Sequence, residues 1–494
     1  MYEHLQAYLS KDIYPFHMPG HKRNPMFLPT ELAGLDLTEI PGMDVLRKPT
    51  GVIRSLQDAI AKFYGSDESY VLVNGSSAGV IAAICAVSSE GDRIYAARNG
   101  HVSMFNGMAL AGAIPVYIMP ELAPDGLAGG IIPETLDNMQ DGAVVFLVSP
   151  TYEGFVSDIR AIAEKVHNHN GILIVDEAHG AHFRFHDAFP DSALDLGADI
   201  VVQSFHKTLP VLGQIAVLHV KSPRVDVPRL RFFLQAMQTT SPSYMLMGQL
   251  DYALNMLWKR PELFDMYVNR LDALRKALTT DNSQLIRLTG QERIGQHGIY
   301  DIDRSKLLFC LDTTCNNGRT LGLSPHFDDS ATSLSEILAA EYRIQLEMAA
   351  GRHLLAMTSV ADTDEGIQRL WAAIGSMNIK YEAKAENPCY TRGSIARTLD
   401  GTDTYHAPLP AQNHRISFVD SLSVLNRFIP KLTLPPSQSI RQETETVPWE
   451  QAAGRIAGEI ITTYPPGIAL VTPGELIPYD LPKLAPTIQV IKHI

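Results

Sequence analysis

Cysteine is scarce in this 494-residue chain: Cys85, Cys310, Cys315 and Cys389 are the whole complement. Four are too few for a disulfide framework, and Cys310 and Cys315 have no second nearby pair to complete a zinc ribbon. Positive charge is also in deficit, with 41 Lys and Arg against 54 Asp and Glu and a net charge of −13. That balance opposes non-specific adhesion to nucleic acid or to an anionic membrane. The longest nearly unbroken apolar run, Ala78 to Val87, is about half of what a bilayer-spanning helix needs. The opening stretch MYEHLQAYLS has neither the basic start nor the apolar core of a signal peptide. Internal repeats, low-complexity tracts and a G-x-x-x-x-G-K-[ST] phosphate loop are all missing. The chain is therefore expected to be soluble and cytoplasmic, without membrane or nucleic-acid partners.

What is present is ordinary globular material, 45% hydrophobic and 19% charged, which excludes a disordered or collagen-like chain. The length corresponds to roughly three compact units. Seven strand-like runs punctuate the first half: Tyr70–Val73, Arg93–Ala97, Pro115–Ile118, Val144–Val148, Ile172–Val175, Ile200–Val202 and Ile215–Val220. Several are apolar on both faces, as buried parallel strands are, and helical stretches such as Val80–Ser88 and Ile159–Asn168 separate them. The pattern predicts a doubly wound α/β sheet, whose ligands sit beyond the carboxyl ends of the strands. A long helix over Ser243–Leu278 leads to a smaller α+β unit with a strand at Lys306–Asp312 and helices at Ser333–Tyr342 and Thr363–Met377. The pattern lapses between Lys384 and Gln412, and a C-terminal unit follows with a helix near Trp449–Tyr464. The expected division is an N-terminal arm (1–35), a large domain (36–270), a small α+β domain (271–383) and a C-terminal domain (384–494).

Four segments at strand ends carry the chemistry. Asn74-Gly75-Ser76-Ser77-Ala78-Gly79 precedes an apolar helix, and small residues at a helix start let backbone N–H groups approach an anion. Asp176, closing an apolar strand in Asp176-Glu177-Ala178-His179-Gly180, is a helix cap, a metal ligand or a partner for a ring nitrogen. The letters D-E-A-H also mark helicase ATPases, but the missing phosphate loop excludes that reading. Lys207, in Ser204-Phe205-His206-Lys207-Thr208, stands where burial would favour a neutral amine, as a Schiff-base lysine requires. His101, in Arg98-Asn99-Gly100-His101, offers a flat ring for stacking.

Each segment alone has a plainer reading: a tight turn, a cap, a solvated lysine, a structural histidine. Together they supply an anion cradle, a carboxylate, an amine and a stacking group, the parts of a pyridoxal phosphate site. The phosphate would rest on Gly75–Ala78, Ser204 and His206, the pyridine nitrogen on Asp176, and the aldehyde on Lys207. The separation of Asp176 from Lys207 leaves room for one helix and one strand, which places them on neighbouring strands. The close pairs His17/His21, His167/His169 and His179/His182 have no third ligand at a metal spacing, so no metal is expected.

With these motifs the chain resembles the group III pyridoxal-phosphate decarboxylases of ornithine, lysine and arginine. The resemblance takes in Phe16–Lys22, Thr38–Asp44, Asn74–Gly79, Arg98–His101, Ser149–Gly154, Asp176–His182 and Ser204–Thr208. It continues through Ile344–Glu347, Ala356–Thr363, Ala453–Arg455, Tyr464–Gly467 and Pro473–Glu475, and is thinnest between Lys384 and Arg441.

The resemblance implies an aminotransferase-like, pyridoxal-phosphate-dependent fold type I, an obligate homodimer, and the short branch without an N-terminal wing domain. It makes Lys207 the aldehyde-binding lysine, Asp176 the pyridinium partner and His101 the stacking ring. Ser76, Ser77, Ser204 and His206 would hold the phosphate, with Thr151, Ala178 and His179 beside the ring. Thr240-Ser241-Pro242 is similar to a segment that reaches the neighbouring subunit's phosphate. The chain departs from the family pattern at Val102, Gly213 and Ala469.

The implied reaction is α-decarboxylation of arginine, lysine or ornithine to a polyamine precursor, with Glu475 or Asp44 as candidates for the carboxylate that meets the substrate's distal cation. Transamination, racemisation or oxidation on the same cofactor is the alternative, and a non-catalytic relative is a third.

Overall fold

The computed structural model describes residues 13–16, 20, 22, 24–27, 44–279, 286–311, 331–386, 430–463 and 468–492. His17, His21, Thr38–Met43, Cys315, Cys389, Tyr464–Gly467 and all but the first three residues of the expected crossing lie outside them.

The seven expected strands form one sheet: β1 (Glu68–Leu72), β2 (Arg93–Ala97), β3 (Ile114–Ile118), β4 (Val144–Val148), β5 (Ile172–Asp176), β6 (Ile200–Gln203) and β7 (Ala216–Val220). Their order across the sheet is β1-β7-β6-β5-β4-β2-β3. Strands β3 through β6 pair in parallel, whereas β7 runs antiparallel to both β6 and β1. The expectation of buried strands holds, with β2, β4, β5 and β7 almost wholly inside.

Helices cover both faces, beginning with α1 (Val52–Tyr64), α2 (Gly75–Val87), α3 (Val102–Ala111) and α4 (Ile159–Asn168). The amphipathic α1 buries Ile53, Leu56, Ile60 and Tyr64, whereas α2 is apolar nearly all round, as a helix enclosed between layers must be. Gly79 allows its close approach, since a Cβ there would meet Leu72 Cδ1 at 2.5 Å. A single turn, α5 (Phe205–Thr208), follows β6, and α6 (Val227–Met237) follows β7.

Two expectations need correction. The long helix over Ser243–Leu278 is two helices, α7 (Tyr244–Lys259) and α8 (Glu262–Thr279), because Pro261 lacks an N–H and restricts Arg260 before it. The helix near Trp449–Tyr464 does not form. Only Trp449–Gln451 makes a 3-10 turn, Gly454 takes φ +76°, and Ile456 and Ala457 make bridges to other segments. The chain there commits its backbone groups to sheet-like partners.

The smaller unit is an antiparallel sheet ordered β8-β9-β11-β10, from β8 (Ile286–Thr289), β9 (Lys306–Leu311), β10 (Met348–Ala350) and β11 (His353–Met357). Helices α9 (Ala331–Glu341) and α10 (Asp364–Glu386) flank it. The N-terminal strand Tyr14–Phe16 pairs in parallel with Ile344–Leu346. In the C-terminal unit β12 (Thr444–Pro448) pairs with β15 (Thr487–Ile491), and β13 (Ile461–Thr463) with β14 (Ile468–Val471). No helix among the described residues is long and apolar enough to cross a membrane.

Candidate active site

Strand direction places the site. Strands β1, β2, β4, β5 and β6 run the same way, so Asn74–Ser77, Arg98–His101, Ser149–Thr151, Asp176–His179 and Ser204–Lys207 emerge together at their carboxyl ends. There they surround a cavity of about 260 Å³. Gly75, Ser76, Ser77, His101, Thr151, Asp176, Ala178, His179, His206 and Lys207 all line it. The structure thus brings together ten residues singled out from sequence, across the adjacent strands β5 and β6 in the case of Asp176 and Lys207.

Lys207 and Asp176 are the electrostatic centre. Burial pushes the Lys207 ammonium down, while Asp176 and then Glu347 pull it back up. Burial likewise raises the Asp176 carboxyl, against the Lys207 charge and the Ala178 N–H, which donates to Oδ1 at 3.1 Å. Each charge therefore favours the other inside a poorly solvated site.

The anion cradle is formed by the start of α2. Gly75 takes φ +79°, a left-handed conformation that suits glycine, and Asn74 makes no side-chain cap, so the first N–H groups of the helix stay available. Ser76 and Ser77 stand beside them. Ala78 and Ser204 were expected to contact the phosphate, but neither lines the cavity. Ser204 is fully buried behind the wall and donates its hydroxyl to Ser76 Oγ at 2.7 Å, and Ala78 faces the packed side of α2.

The histidines are held in defined states. His101 caps α3, with Nδ1 accepting the Ser103 N–H at 3.2 Å, which leaves the ring proton on Nε2. His206 Nδ1 donates to the Ile215 carbonyl at 2.9 Å. Burial, aided by the Lys207 charge, pushes both imidazoles down to about 4, so both are neutral near pH 7. His179 is held well below the usual range by burial first and then by Lys207 and Lys306. Its Nε2 is 3.1 Å from Lys207 Nζ, and its Nδ1 is 2.7 Å from Lys306 Nζ.

Several wall residues were not singled out from sequence. Glu347, between Ile344–Leu346 and β10, accepts the Tyr152 hydroxyl at 2.7 Å, and both residues line the cavity. Asn99, Glu153 and Ile468 complete much of the rest. Glu153 Oε1 and Asn99 Oδ1 are buried without a hydrogen-bond partner among the described residues, so the wall presents polar groups to the cavity. The motifs that carry the resemblance contain both Glu347 and Glu153. What no local pattern shows is that the smaller unit folds onto the sheet and delivers Glu347 there.

Neither carboxylate expected to meet the substrate's distal cation is at the cavity. Glu475 is fully buried against Arg98. Asp44 accepts N–H groups of Val45, Thr50, Gly51, Ile53 and Arg54 at the start of α1, which hold its carboxyl below the usual range despite some burial. Both are committed to structural partners, Asp44 through both carboxylate oxygens and Glu475 through Oε2, which takes the Arg98 guanidinium and the Thr472 N–H. Thr240 and Ser241 are exposed and line no part of the cavity.

Comparison with known proteins gives the family and the fold. The model of the Orn/Lys/Arg decarboxylase major domain matches residues 1–317, and that of the Orn/Lys/Arg decarboxylase C-terminal domain matches residues 430–489. An arginine decarboxylase of Bacillus anthracis is 28% identical over 479 residues, covering 94% of this chain and 88% of the relative. The Escherichia coli constitutive lysine decarboxylase superposes with a TM-score of 0.73 at 18% identity, over 94% of this chain and 76% of that one. Sphingomonas wittichii serine palmitoyltransferase gives 0.54 at 16% identity, over 74% and 88%. The two structural likenesses carry the fold, which is the aminotransferase-like fold type I. The matched major domain, extending over more than half of the sequence, carries the rest: this chain belongs to the Orn/Lys/Arg decarboxylase family.

Proposed function

We propose that this protein is a pyridoxal-phosphate-dependent decarboxylase of a basic amino acid, arginine, lysine or ornithine. The observation that carries the reading is the shared cavity of Lys207 and Asp176, at the ends of neighbouring parallel strands and beside the free N-terminus of α2. The donor set fits the cofactor: helix N–H groups and two serine hydroxyls for a phosphate, a buried carboxylate for a ring nitrogen, a buried amine for an aldehyde. When bound, the cofactor supplies an electron-poor ring that accepts the electron pair left by CO2.

The protein's own residues do the remainder. Lys207 presents Nζ to the aldehyde, and Asp176 keeps a negative charge where the pyridine nitrogen needs a proton. Ser76, Ser77 and the N–H groups of α2 bind the phosphate, with Ser204 orienting Ser76. His206 reaches an anion only through Nε2 as imidazolium, a state that a phosphate would itself favour. His101 offers its flat face. Lys207 or His179 returns a proton to the substrate carbon after CO2 has left. Glu347 and Glu153 give the cavity carboxylates that suit a distal guanidinium or ammonium, which favours basic substrates.

We further read the protein as a cytoplasmic homodimer making a polyamine precursor, with Thr240–Pro242 reaching the other subunit and domains divided near residues 35, 270 and 383. The test is to load purified protein with pyridoxal phosphate, record its absorbance band, and assay CO2 release from the three amino acids in parallel. Product amine with CO2 supports decarboxylation, and a keto acid without CO2 overturns it. Lys207→Ala should abolish both band and turnover.

A further inference from the structure

One buried imidazole stands between two buried amines. Lys306 Nζ is 2.7 Å from His179 Nδ1, and Lys207 Nζ is 3.1 Å from Nε2 on the opposite side of the ring. Lys306 opens β9 in the smaller sheet and Lys207 belongs to α5 after β6, so His179 connects the two units. Lys306 is only 3% exposed, does not line the cavity, and lies 5.6 Å from the centre of the Tyr152 ring.

A neutral imidazole carries one N–H and one lone pair. His179 is neutral at pH 7, because burial and then the lysine charges hold it far below its usual range. Two arrangements in which one lysine carries the charge then satisfy both contacts. With Lys306 as ammonium, Nδ1 accepts, the ring proton sits on Nε2, and Lys207 accepts that proton's hydrogen bond as a free amine. With Lys207 as ammonium, the ring is reversed and Lys306 must be the free amine. Two ammonium groups leave one contact with donors on both sides.

The distances match the first arrangement, since the shorter contact, 2.7 Å at Nδ1, suits a charge-assisted hydrogen bond from an ammonium and the 3.1 Å contact at Nε2 a neutral one. Burial lowers Lys306 to about 8, with Asp303, Glu347 and Glu153 supporting its charge and Lys207 opposing it. Asp303 is anchored by His182 Nε2 at 3.1 Å and by the Ser305 N–H at 2.9 Å. Asp176 and Glu347 support a charge on Lys207 in the same way, against its burial, so the two distances decide, and the His101 and His206 rings nearby are neutral.

We infer that Lys306 is a positioning residue that fixes the His179 proton on Nε2 and thereby presents Lys207 as a free amine. The inference rests on the reading of Lys207 as the aldehyde-binding residue, and its test separates the two. In full-length protein freed of cofactor and labelled with 15N-histidine, the His179 signals, assigned with His179→Asn, should show unprotonated Nδ1 and protonated Nε2 at pH 7. A proton on Nδ1 overturns the inference whatever any variant does.

Lys306→Met should then slow formation of the cofactor band about tenfold at pH 7, as a roughly tenfold rise in the basicity of Lys207 requires, and move the pH midpoint upward. Lys306→Arg, which keeps a cationic donor, should stay near the unaltered rate. A folded Lys306→Met protein with an unchanged midpoint counts against Lys306 alone. A Lys207→Ala protein that still forms the band counts instead against the role of Lys207.

Discussion

Arg98 and Glu475 form an ion pair from which both side chains are entirely withdrawn from solvent, with NH2 3.1 Å from Oε2. The guanidinium also donates to the carbonyls of Ala469 at 2.6 Å and Leu470 at 2.9 Å, and it lies 4.7 Å from the centre of the Tyr117 ring. Glu475 Oε2 accepts the Thr472 N–H at 2.7 Å. The pair therefore fastens β14 to the segment that follows β2. The first residue of β14, Ile468, bridges to His101 and lines the cavity.

Glu475→Gln should consequently destabilise the fold by about 3–5 kcal/mol, the cost of leaving a buried charge without its partner. Activity should fall with it, because Ile468 loses its anchor. Urea unfolding checks the first part, and Arg98→Met combined with Glu475→Leu should recover much of the loss. A change in unfolding free energy within ~0.5 kcal/mol would place the pair outside the structural core.

Asp176→Asn separates charge from shape. The amide keeps an oxygen to accept the Ala178 N–H, now at 3.1 Å from Oδ1, but it cannot hold a proton on a ring nitrogen by charge. Cofactor uptake should survive while CO2 release falls about 10²–10³-fold, the usual effect of removing one electrostatic stabiliser. Absorbance and turnover measured on the same sample check this. Loss of the band as complete as in Lys207→Ala would make Asp176 a binding group instead.

The sheet is legible because its strands are short runs buried on both faces, a pattern that ends visibly at Asn74-Gly75, Arg98 and Asp176. The reversed direction of β7 is not legible, since a buried strand reads alike in either sense. The break at Pro261 is written in the sequence, against the expectation of one long helix, whereas the Trp449–Tyr464 segment has a helical mix of residues interrupted by Gly454 and drawn into strand contacts. Lys207, Asp176 and His101 can be found because each follows a recognisable strand. Lys306 and Glu347 cannot, because only the docking of the smaller unit brings them to His179 and the cavity. Glu475 departs from its expected place for the same reason: its partner Arg98 is remote in sequence, and burial of a single glutamate leaves no local mark.

Glu347→Gln tests which wall residue meets the distal cation of the substrate. The amide still offers an oxygen to the Tyr152 hydroxyl, so the wall should keep its shape. Losing one charge-assisted hydrogen bond of about 1.5–3 kcal/mol corresponds to a KM roughly 10- to 100-fold higher for the preferred amino acid, with kcat changed less. Steady-state kinetics with arginine, lysine and ornithine check this. An unaltered KM for all three would move the recognition to Glu153.

A different pair should govern the alkaline limit of stability. His353, on β11 with its side chain 1% exposed, stands 3.1 Å through Nε2 from Asp125 Oδ2, while Arg293 donates to Asp125 Oδ1 at 3.1 Å. Cys310 completes the cluster, but the arginine already occupies the carboxylate, which makes this an ion-pair network. Burial alone would lower His353, yet Asp125 outweighs it and the imidazolium persists to about 9. A folded-state value above the unfolded value of about 6.5 means that this stabilisation is complete below that pH and fades as pH rises through 9. Its size is about 3 kcal/mol, since each tenfold gain in proton affinity on folding corresponds to ~1.4 kcal/mol. Urea unfolding at pH 6.5 and at pH 9.5–10 should show that loss in the unaltered protein and little of it in His353→Gln, which lacks the titrating group. Equal losses in both proteins would assign the alkaline sensitivity to other groups, with the buried lysines Lys306 and Lys207 the next to test.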